Sequence, residues 1–483
     1  MKNLPAVFAV ADRIAFGAPQ TVAERGVRGL LVLALYLIGA AHLILFFNGG
    51  DLALVAYDWI KEDAYLNALR DAQTTGVPPW TWSEAFYHST PRLLANPEII
   101  LTPDIILLRW VPNSIFVIIH ILLFYTIGFL GSLSLARRAN ASLVAFAFFW
   151  LVFNFNGSIT AHLAVGHLQW AGYYLLPLFF ALLFRIAADT RETPVFERFP
   201  MLAMGLLLGL WFLNGSFHFA IWACMFMLIA ALWNRSLFKG ALWSIAIGVL
   251  LGFGRVLPAA LWFPDQRSFL SGYPGFSVLF DALVLMREHD HPAIGGLFGR
   301  LGWWEYDVFV GYVALFAVAV AGYAGFRSHR IRFRAPLIAA ACAMALLSMG
   351  DVFAVVANSP LPFAGVERVS SRFILLPLVL IFVVAMAGLD PLFRSSPAIW
   401  KPAVLAALPL MFAELMNHSR IWQVGRLEAA VHDVAKPGLS ISPTHDAAYA
   451  FSVYAGWFVS LLAMLFAFYC LVRARAAAWR AAP

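Results

Sequence analysis

Long apolar runs separated by short polar segments follow one another along almost the entire chain. A helix of about 20 apolar residues is long enough to cross the roughly 30 Å of hydrocarbon in a bilayer. We predict about twelve such spans, near residues 29–47, 112–136, 141–155, 168–188, 200–214, 217–234, 240–262, 308–326, 335–350, 372–389, 402–417 and 452–472. The pattern therefore predicts an all-α fold, a polytopic transmembrane helical bundle with short interfacial helices in its outer loops.

Three segments between the predicted spans are much longer than the others. They cover residues 48–111, 263–307 and 418–451. Each mixes Trp, Tyr and Pro with isolated charges, which indicates loops folded against the membrane surface rather than disordered ones. In the first of them, the apolar positions between Ala64 and Ala72 predict a short amphipathic helix. We predict another short interfacial helix over residues 5–16, ahead of the first span.

Basic residues are concentrated in every second loop, as in Arg137-Arg138 and the cluster from Arg327 to Arg334. Cytoplasmic loops carry an excess of Lys and Arg. We therefore predict a multi-pass protein of a bacterial inner membrane with both termini cytoplasmic and the three long loops periplasmic. Residues 29–472 then form a single transmembrane domain between an N-terminal segment, 1–28, and a C-terminal tail, 473–483.

The composition excludes several classes of protein. Apolar residues make up 62% of the chain, charged residues 12%, and the mean hydropathy is +0.79, whereas soluble domains have about 45–50% and 25%. The three cysteines stand singly inside apolar runs, which argues against disulfides and cysteine–zinc sites. No phosphate-binding, dinucleotide or haem motif is found, and we expect no nucleic-acid partner.

The first long loop carries the strongest candidate for chemistry. It reads Asp58-Trp59-Ile60-Lys61-Glu62-Asp63 about ten residues after the first span. A carboxylate there lies close to the bilayer surface and can act as a general base, and we favour Asp58. Asp51, Glu62 and Asp63 compete for that role. Alternatively, Asp58 caps the following helix or pairs with Lys61.

Histidines mark two further outer turns. His162 and His167 lie between spans three and four, and His218 follows the turn between spans five and six. Any of them can hydrogen-bond a phosphate, a sugar hydroxyl or a carboxylate, and a purely structural role is the alternative. His162 and His167 are five residues apart and do not share a helix face as an i, i+4 pair does, so the zinc spacing is not met. Residues 287–292 include side chains of the kinds that bind metals, but these residues follow one another directly in a loop.

Arginines on the outer side predict contact with an anionic substrate. Arg368 and Arg372 lie four residues apart at the start of predicted span ten, so on a helix they share one face. Arginine suits phosphate oxygens, and a pairing with Glu367 is the alternative. Tryptophans of the outer loops predict either a sugar platform or an interfacial belt; they are Trp80, Trp82, Trp303 and Trp304.

Taken together, the chain resembles the GT-C superfamily of integral membrane glycosyltransferases, particularly its bacterial YfhO-like and related branches. The resemblance covers about residues 25–475 and rests on loose motifs. They are an acid in the first outer loop, Gly-x-Pro-Pro-Trp (76–80), Asn-Pro-Glu (96–98), His-x-x-x-Gly-His (162–167) and Arg-x-x-x-Arg-Phe (368–373).

The resemblance implies an enzyme that transfers a sugar from a polyprenyl-phosphate donor to a periplasmic or lipid-linked acceptor. It implies that the first-loop acid, here matched best by Asp58, acts as base or organises a divalent metal. The chain lacks the close acidic pair of some branches, so the metal and the identity of the base stay open. Trp80, His162, His167, His218, Arg368 and Arg372 are then expected to bind substrate.

Other functions remain open from the sequence. An O-antigen polymerase or ligase also has about twelve spans and outward arginines, although its largest outer loop usually falls in the later half. A transporter or flippase of lipid-linked glycans would show broken helices in repeated halves, and no internal repeat is visible. A non-enzymatic membrane subunit is the third alternative.

Overall fold

Helices account for most of the part of the chain that the structure describes. A computed structural model describes residues 4–76, 82–83, 92–188, 199–263, 269–288, 301–328, 334–359, 367–431, 441–442 and 446–480. Its helices are α1 Leu4–Phe16, α2 Val22–Phe46, α3 Trp59–Thr75, α4 Asn113–Arg138, α5 Leu143–Phe155, α6 Gly157–Ala164, α7 Leu176–Ala188, α8 Phe199–Leu213, α9 Phe217–Trp233, α10 Arg235–Leu251, α11 Phe253–Trp262, α12 Phe276–Val284, α13 Gly311–Arg327, α14 Arg334–Leu347, α15 Gly350–Ala357, α16 Leu375–Ser395, α17 Pro397–Ile421, α18 Val424–Ala429 and α19 Ala447–Arg480. Short 3₁₀ helices cover Asn48–Gly50, Leu93–Ala95, Pro103–Arg109, Leu168–Leu175, Trp303–Glu305 and Ser370–Ile374.

The predicted all-α transmembrane bundle is confirmed. Among the described residues, seven of the predicted spans correspond to helical segments long and apolar enough to cross a bilayer. Four others are shorter apolar helices of 10–17 residues: α8, α9, α13 and most of α14. The predicted span 240–262 is instead a bent pair, α10 and α11, with an angle of 82° between them. The number of complete crossings therefore stays a prediction.

One predicted span begins differently from the sequence pattern. The predicted span 372–389 starts as a 3₁₀ helix, Ser370–Ile374, before the α-helix begins at Leu375. Val369, just ahead of it, is extended and pairs with Ser271 in a short bridge. Arg368 thus lies outside the helix, and the expected i, i+4 pairing of Arg368 and Arg372 on one helix face is wrong.

The predicted amphipathic helix of the first long loop exists but is not a surface element. It is α3, which ends at Gly76 in a left-handed C-cap. Arg70 donates to the carbonyls of Leu108 and Val111 at 2.8 Å, which fixes the helix against the 3₁₀ segment that precedes α4. Most of its first turns are buried, including the charged residues Lys61, Glu62 and Asp63.

The first long loop is closed by the C-terminal part of the chain. Residues 82–83 and residues 441–442 form a two-stranded antiparallel sheet with two residues in each strand. Arg92 forms an ion pair with Asp446, and the backbone N–H of Leu94 donates to the Tyr449 hydroxyl at 3.0 Å. The start of α19 therefore holds the loop that follows the first span.

Segments predicted on opposite sides of the membrane form two separate sets of contacts. On the predicted cytoplasmic side, Arg28 donates to the Ala141 carbonyl, Ser142 N–H donates to Asp390, and Lys401 pairs with Asp12. Segments predicted to be periplasmic meet one another instead, as described below. This grouping is consistent with the predicted alternation of loops.

Candidate active site

Six segments from the predicted outer side converge on one cluster of charged and aromatic side chains. They are the start of α3, residues 96–98, α6 with the turn after it, the start of α9, the 3₁₀ helix Trp303–Glu305, and residues 367–372. These segments are far apart in sequence, and the fold of the bundle brings them together.

The main chain around Asp58 is anchored to the turn that follows α6. Asp58 N–H donates to the Val165 carbonyl at 3.0 Å, and the Trp59 indole donates to the Ala164 carbonyl at 3.1 Å. Gly166 in that turn has φ +92°, and a Cβ there would lie 2.3 Å from the Trp59 nitrogen. A glycine is therefore required for the turn to pack against α3. The packing places Asp58 Oδ2 3.5 Å from His167 Nε2.

A buried lysine lies at the centre of the acidic side of the cluster. Lys61 Nζ is 2.7 Å from Glu98, 3.1 Å from Asp58 and 3.6 Å from Glu62. The pairing of Asp58 with Lys61, one of the alternatives from the sequence, is thus present, whereas the Asp58 side chain makes no capping bond to α3. One ammonium group compensates three neighbouring carboxyl groups.

The environment moves the pKa values of two of these acids in opposite directions. Burial raises the pKa of Asp58, but the interaction with His167 and the charge of Lys61 outweigh it and lower that pKa to about 2. Burial raises the pKa of Glu62 to about 8, because the nearby charge of Lys61 compensates only in part and the carboxylates of Glu98 and Asp58 repel a further negative charge. Asp58 is therefore ionised at neutral pH, and Glu62 is largely protonated.

The second half of the cluster is a clamp around Glu305. Arg372 donates to both oxygens of Glu305, at 2.8 and 2.7 Å, and its guanidinium lies over the ring of Trp170. His162 also stacks on Trp170, with a centroid distance of 4.0 Å, and its Nε2 lies 3.5 Å from Glu305. Burial opposes ionisation of Glu305, but the charge of Arg372 and the contact with His162 hold its pKa well below its usual range.

His218 extends the cluster on the far side of Arg372. Its Nε2 lies 3.4 Å from an Arg372 nitrogen, and its Nδ1 lies 2.9 Å from Glu367. Glu367 also accepts from the Trp222 indole at 3.0 Å. Arg372 thus has a carboxylate partner, but it is Glu305, while Glu367 binds His218. Arg368 is partly buried, and its Nε has no hydrogen-bond partner.

The structure brings together Asp58, His162, His167, His218 and Arg372 from the predicted site. Trp80 and residues 289–292 lie outside the described residues. Of the competing acids, Asp51 is exposed in the segment before α3, and Asp63 is held by the side-chain amides of Asn67 and Asn113.

Two carboxylates central to the cluster had no assigned role in the sequence analysis. Glu98 belongs to the Asn-Pro-Glu motif and binds Lys61; its backbone carbonyl is approached so closely by Gly215 that a Cβ there would lie 2.1 Å away. Glu305 follows Trp303-Trp304. An acid that directly follows two tryptophans in an outer loop was the available signal for Glu305.

Three side chains of the cluster can hold a metal ion. His162, His167 and Glu305 are all buried, and each offers a ligand atom within 4.8 Å of the other two. The expectation that the two histidines do not meet zinc spacing compared them with an i, i+4 pair on a helix. The helix ends at Ala164, and the turn through Gly166 brings the two rings to a centroid distance of 5.1 Å.

Comparisons with protein-family models and with curated proteins find no match to this chain. Among solved structures, the cryo-EM structure of arabinofuranosyltransferase AftD from Mycobacteria is similar, with 15% sequence identity and a TM-score of 0.48. The similarity covers 81% of this chain and 27% of that chain, so this chain spans about a quarter of the length of AftD. A similarity at this level does not by itself assign a fold or an activity.

Proposed function

We propose that the chain is a membrane glycosyltransferase that transfers a sugar from a polyprenyl-phosphate-linked donor to a glycan or lipid-linked acceptor on the periplasmic side. The exposure of Asp58 carries this proposal. Its side chain is 43% exposed. The other charged residues and histidines that form ion pairs within the cluster have side chains that are between 3% and 16% exposed. A single ionised carboxylate at the edge of a buried polar cluster can meet a substrate from outside.

In the proposed reaction, Asp58 accepts the proton of the acceptor hydroxyl as that oxygen attacks the anomeric carbon. The new carbon–oxygen bond forms while the bond to the donor phosphate breaks, and the phosphate leaves on its polyprenyl chain. A single displacement inverts the anomeric configuration. Lys61 and His167 hold the carboxylate ionised and oriented, so that little reorganisation is needed in the transition state.

The positive side of the cluster suits the donor phosphate. Arg368 has an unpartnered guanidinium nitrogen and directly follows Glu367, which binds His218. Arg372 is already bound to Glu305 at both carboxylate oxygens. We therefore assign direct phosphate contact to Arg368, and to Arg372 an electrostatic contribution through its charge.

An aromatic pair next to Asp58 suits a sugar ring. Tyr57, the residue before Asp58, is exposed and contacts Trp304 edge to face with a centroid distance of 5.2 Å. Trp303 is fully buried and cannot serve as a platform. Trp304 is thus the outer-loop tryptophan that we assign to sugar stacking, with Tyr57 beside it.

The test is Asp58→Asn in the purified full chain, assayed with a panel of polyprenyl-phosphate sugars and membrane acceptors. The substitution keeps the shape and removes the base, so turnover should fall by roughly 10²–10⁴-fold while donor binding persists. Asp51→Asn, in the same loop but outside the cluster, is the matched control and should retain turnover. Near-wild-type transfer by a folded Asp58→Asn protein would refute the assignment of the base.

One feature favours a second function, transport of a lipid-linked glycan. Transporters bind substrate at broken helices, and α10 and α11 form such a break, with the buried Arg255 just beyond it. Arg255, however, donates to the backbone carbonyls of Leu94 and Asn96 and so holds the first long loop. Proteoliposomes that translocate a lipid-linked glycan without any sugar transfer would favour the transporter.

A further inference from the structure

We propose that His162, His167 and Glu305 bind one divalent transition-metal ion of the zinc class, adjacent to Asp58. The site goes beyond the glycosyltransferase assignment and does not depend on it. Each of the three side chains is more than nine-tenths buried, and one ligand atom from each lies within 4.8 Å of the other two.

His162 presents a nitrogen lone pair to this position. Its Nδ1 lies 2.9 Å from the Ser158 carbonyl oxygen. A carbonyl only accepts hydrogen bonds, so Nδ1 carries the proton and Nε2 of the neutral ring is bare. Nε2 is buried without a hydrogen-bond partner, and its 3.5 Å separation from Glu305 is longer than a normal hydrogen bond. A buried, unpartnered acceptor of this kind is what a bound cation satisfies.

The surroundings of both histidines resemble the outer partners of metal-bound imidazoles. Such rings commonly donate the nitrogen that faces away from the metal to a backbone carbonyl or a carboxylate. Ser158 supplies the carbonyl for His162. His167 has one nitrogen, Nδ1, buried without a partner, and the other, Nε2, 3.5 Å from Asp58. The stacking of His162 on Trp170 further fixes its orientation.

Glu305 can serve as a ligand without leaving Arg372. A carboxylate has two oxygens with about four acceptor positions. Arg372 Nη2 holds Oε1 at 2.7 Å, and Oε2 faces both Arg372 Nε and His162. Oε2 therefore retains an acceptor position toward the histidines while the guanidinium keeps the carboxylate ionised.

The ligand set and distances select the class of metal. Two imidazole nitrogens and one carboxylate oxygen suit zinc and its neighbours rather than calcium or magnesium, which prefer oxygen ligands. Ligand atoms of a tetrahedral zinc site with bonds of about 2.1 Å are roughly 3.4 Å apart. The His162–Glu305 separation of 3.5 Å already matches that edge. Three protein ligands leave a fourth position for water or substrate.

The test uses the purified full chain in detergent, stripped with a chelator and then titrated with Zn²⁺. Bound zinc is measured by mass spectrometry and by competition with a chromophoric chelator. We expect one ion per chain, and Co²⁺ in its place should give the visible absorption of a tetrahedral nitrogen and oxygen site. No stoichiometric binding by the wild type would overturn the proposal, whether or not any variant folds.

Variants locate the ion. Removing a residue that only hydrogen-bonds a metal ligand typically weakens metal binding by about 10–100-fold. His162→Ala and His167→Ala remove ligands themselves, so each should weaken zinc binding by more than that. His218→Gln is the matched control, since His218 lies in the same cluster but outside the set of three, and its affinity should stay within about twofold. Equal affinity in folded His162→Ala, or equal loss in His218→Gln, would refute the site. A variant that loses zinc but still transfers sugar would show that the metal site and the transferase activity are independent. A protein that binds zinc but transfers no sugar would support the metal site and contradict the proposed function.

Discussion

At the residue scale, Lys61 is the side chain on which the acidic half of the cluster depends. It is buried against Glu98, Asp58 and Glu62. Replacing one partner of a buried ion pair leaves uncompensated charge, which typically costs about 3–5 kcal/mol. We therefore expect Lys61→Met to lower the free energy of unfolding by about that amount in denaturant titrations of the detergent-solubilised protein.

A more exposed pair provides the control for this prediction. Lys401 and Asp12 form an ion pair near the predicted cytoplasmic side, with side chains that are 24% and 49% exposed. Exposed pairs contribute about 0–1 kcal/mol, so Lys401→Met should change stability by no more than that. Equal effects of the two substitutions would show that burial of Lys61 is not what makes its charge important.

The raised pKa of Glu62 predicts a pH dependence of stability. From about pH 5 to pH 8 the folded protein keeps a proton on Glu62 that the unfolded chain, with an ordinary pKa of 4.5, has released. The contribution of Glu62 to stability should therefore fall as the pH rises through this window. Asp58 does not interfere, because its stabilising ionisation is lost only as the pH falls from about 4 to 2. Glu62→Gln should flatten the slope of melting temperature against pH, and an unchanged slope would contradict the shift.

Individual residues of the site differ in how far the sequence could indicate them. The sequence indicated Asp58, which the structure places in the cluster, because an acid shortly after the first span is expected near the bilayer surface. Glu305 had only the two tryptophans before it as a signal, because its partner Arg372 lies 67 residues further along the chain. Such a long-range ion pair leaves no local pattern. The sequence did suggest Glu367 as a partner for Arg372, and the structure places Glu305 there instead.

At the scale of single elements, the turn after α6 decides the geometry of the two histidines. Gly166 has φ +92° and no room for a Cβ. Gly166→Ala should cost about 1–2 kcal/mol in backbone strain, and more from the collision with Trp59. It should also weaken the contact of His167 with Asp58. Thermal unfolding of the purified variant measures the first effect.

Gly29→Ala is the matched control for the turn. Gly29 lies within α2, and a Cβ there meets nothing within 4 Å. Because alanine is a better helix former than glycine, this substitution should leave the melting temperature unchanged or raise it slightly. A Gly166→Ala protein as stable as Gly29→Ala would show that the turn relaxes without cost.

Elements were predictable where hydrophobic periodicity defines them and not where the chain breaks. Helical structure is present at each of the twelve predicted spans. The sequence did not indicate the 82° bend at Gly252, since the apolar run continues through it. It judged the spacing of His162 and His167 by that of an i, i+4 pair on a helix, whereas α6 ends between them. Hydropathy indicates whether a segment is buried or lies in lipid, but it does not indicate where the helix axis bends or where a helix ends.

At the scale of the whole molecule, the two sets of loop contacts make the predicted topology testable. Reporter fusions at Ala139 and Arg330 should behave as cytoplasmic, and a fusion at Thr81 as periplasmic, because basic residues remain on the cytoplasmic side. Paired alkaline phosphatase and fluorescent-protein reporters measure both orientations. A periplasmic signal at Arg330 would reverse the topology and place the cluster around Asp58 on the other face.

The closure of the first long loop by the start of α19 has a consequence for biogenesis. The loop leaves the ribosome long before α19 does, yet Arg92 and Leu94 find their partners only when Asp446 and Tyr449 have been synthesised. Until α19 is inserted, the loop that carries Asp58 lacks these restraints. A ribosome-bound intermediate stalled before residue 446 should therefore expose this loop to added protease, and the completed chain should protect it.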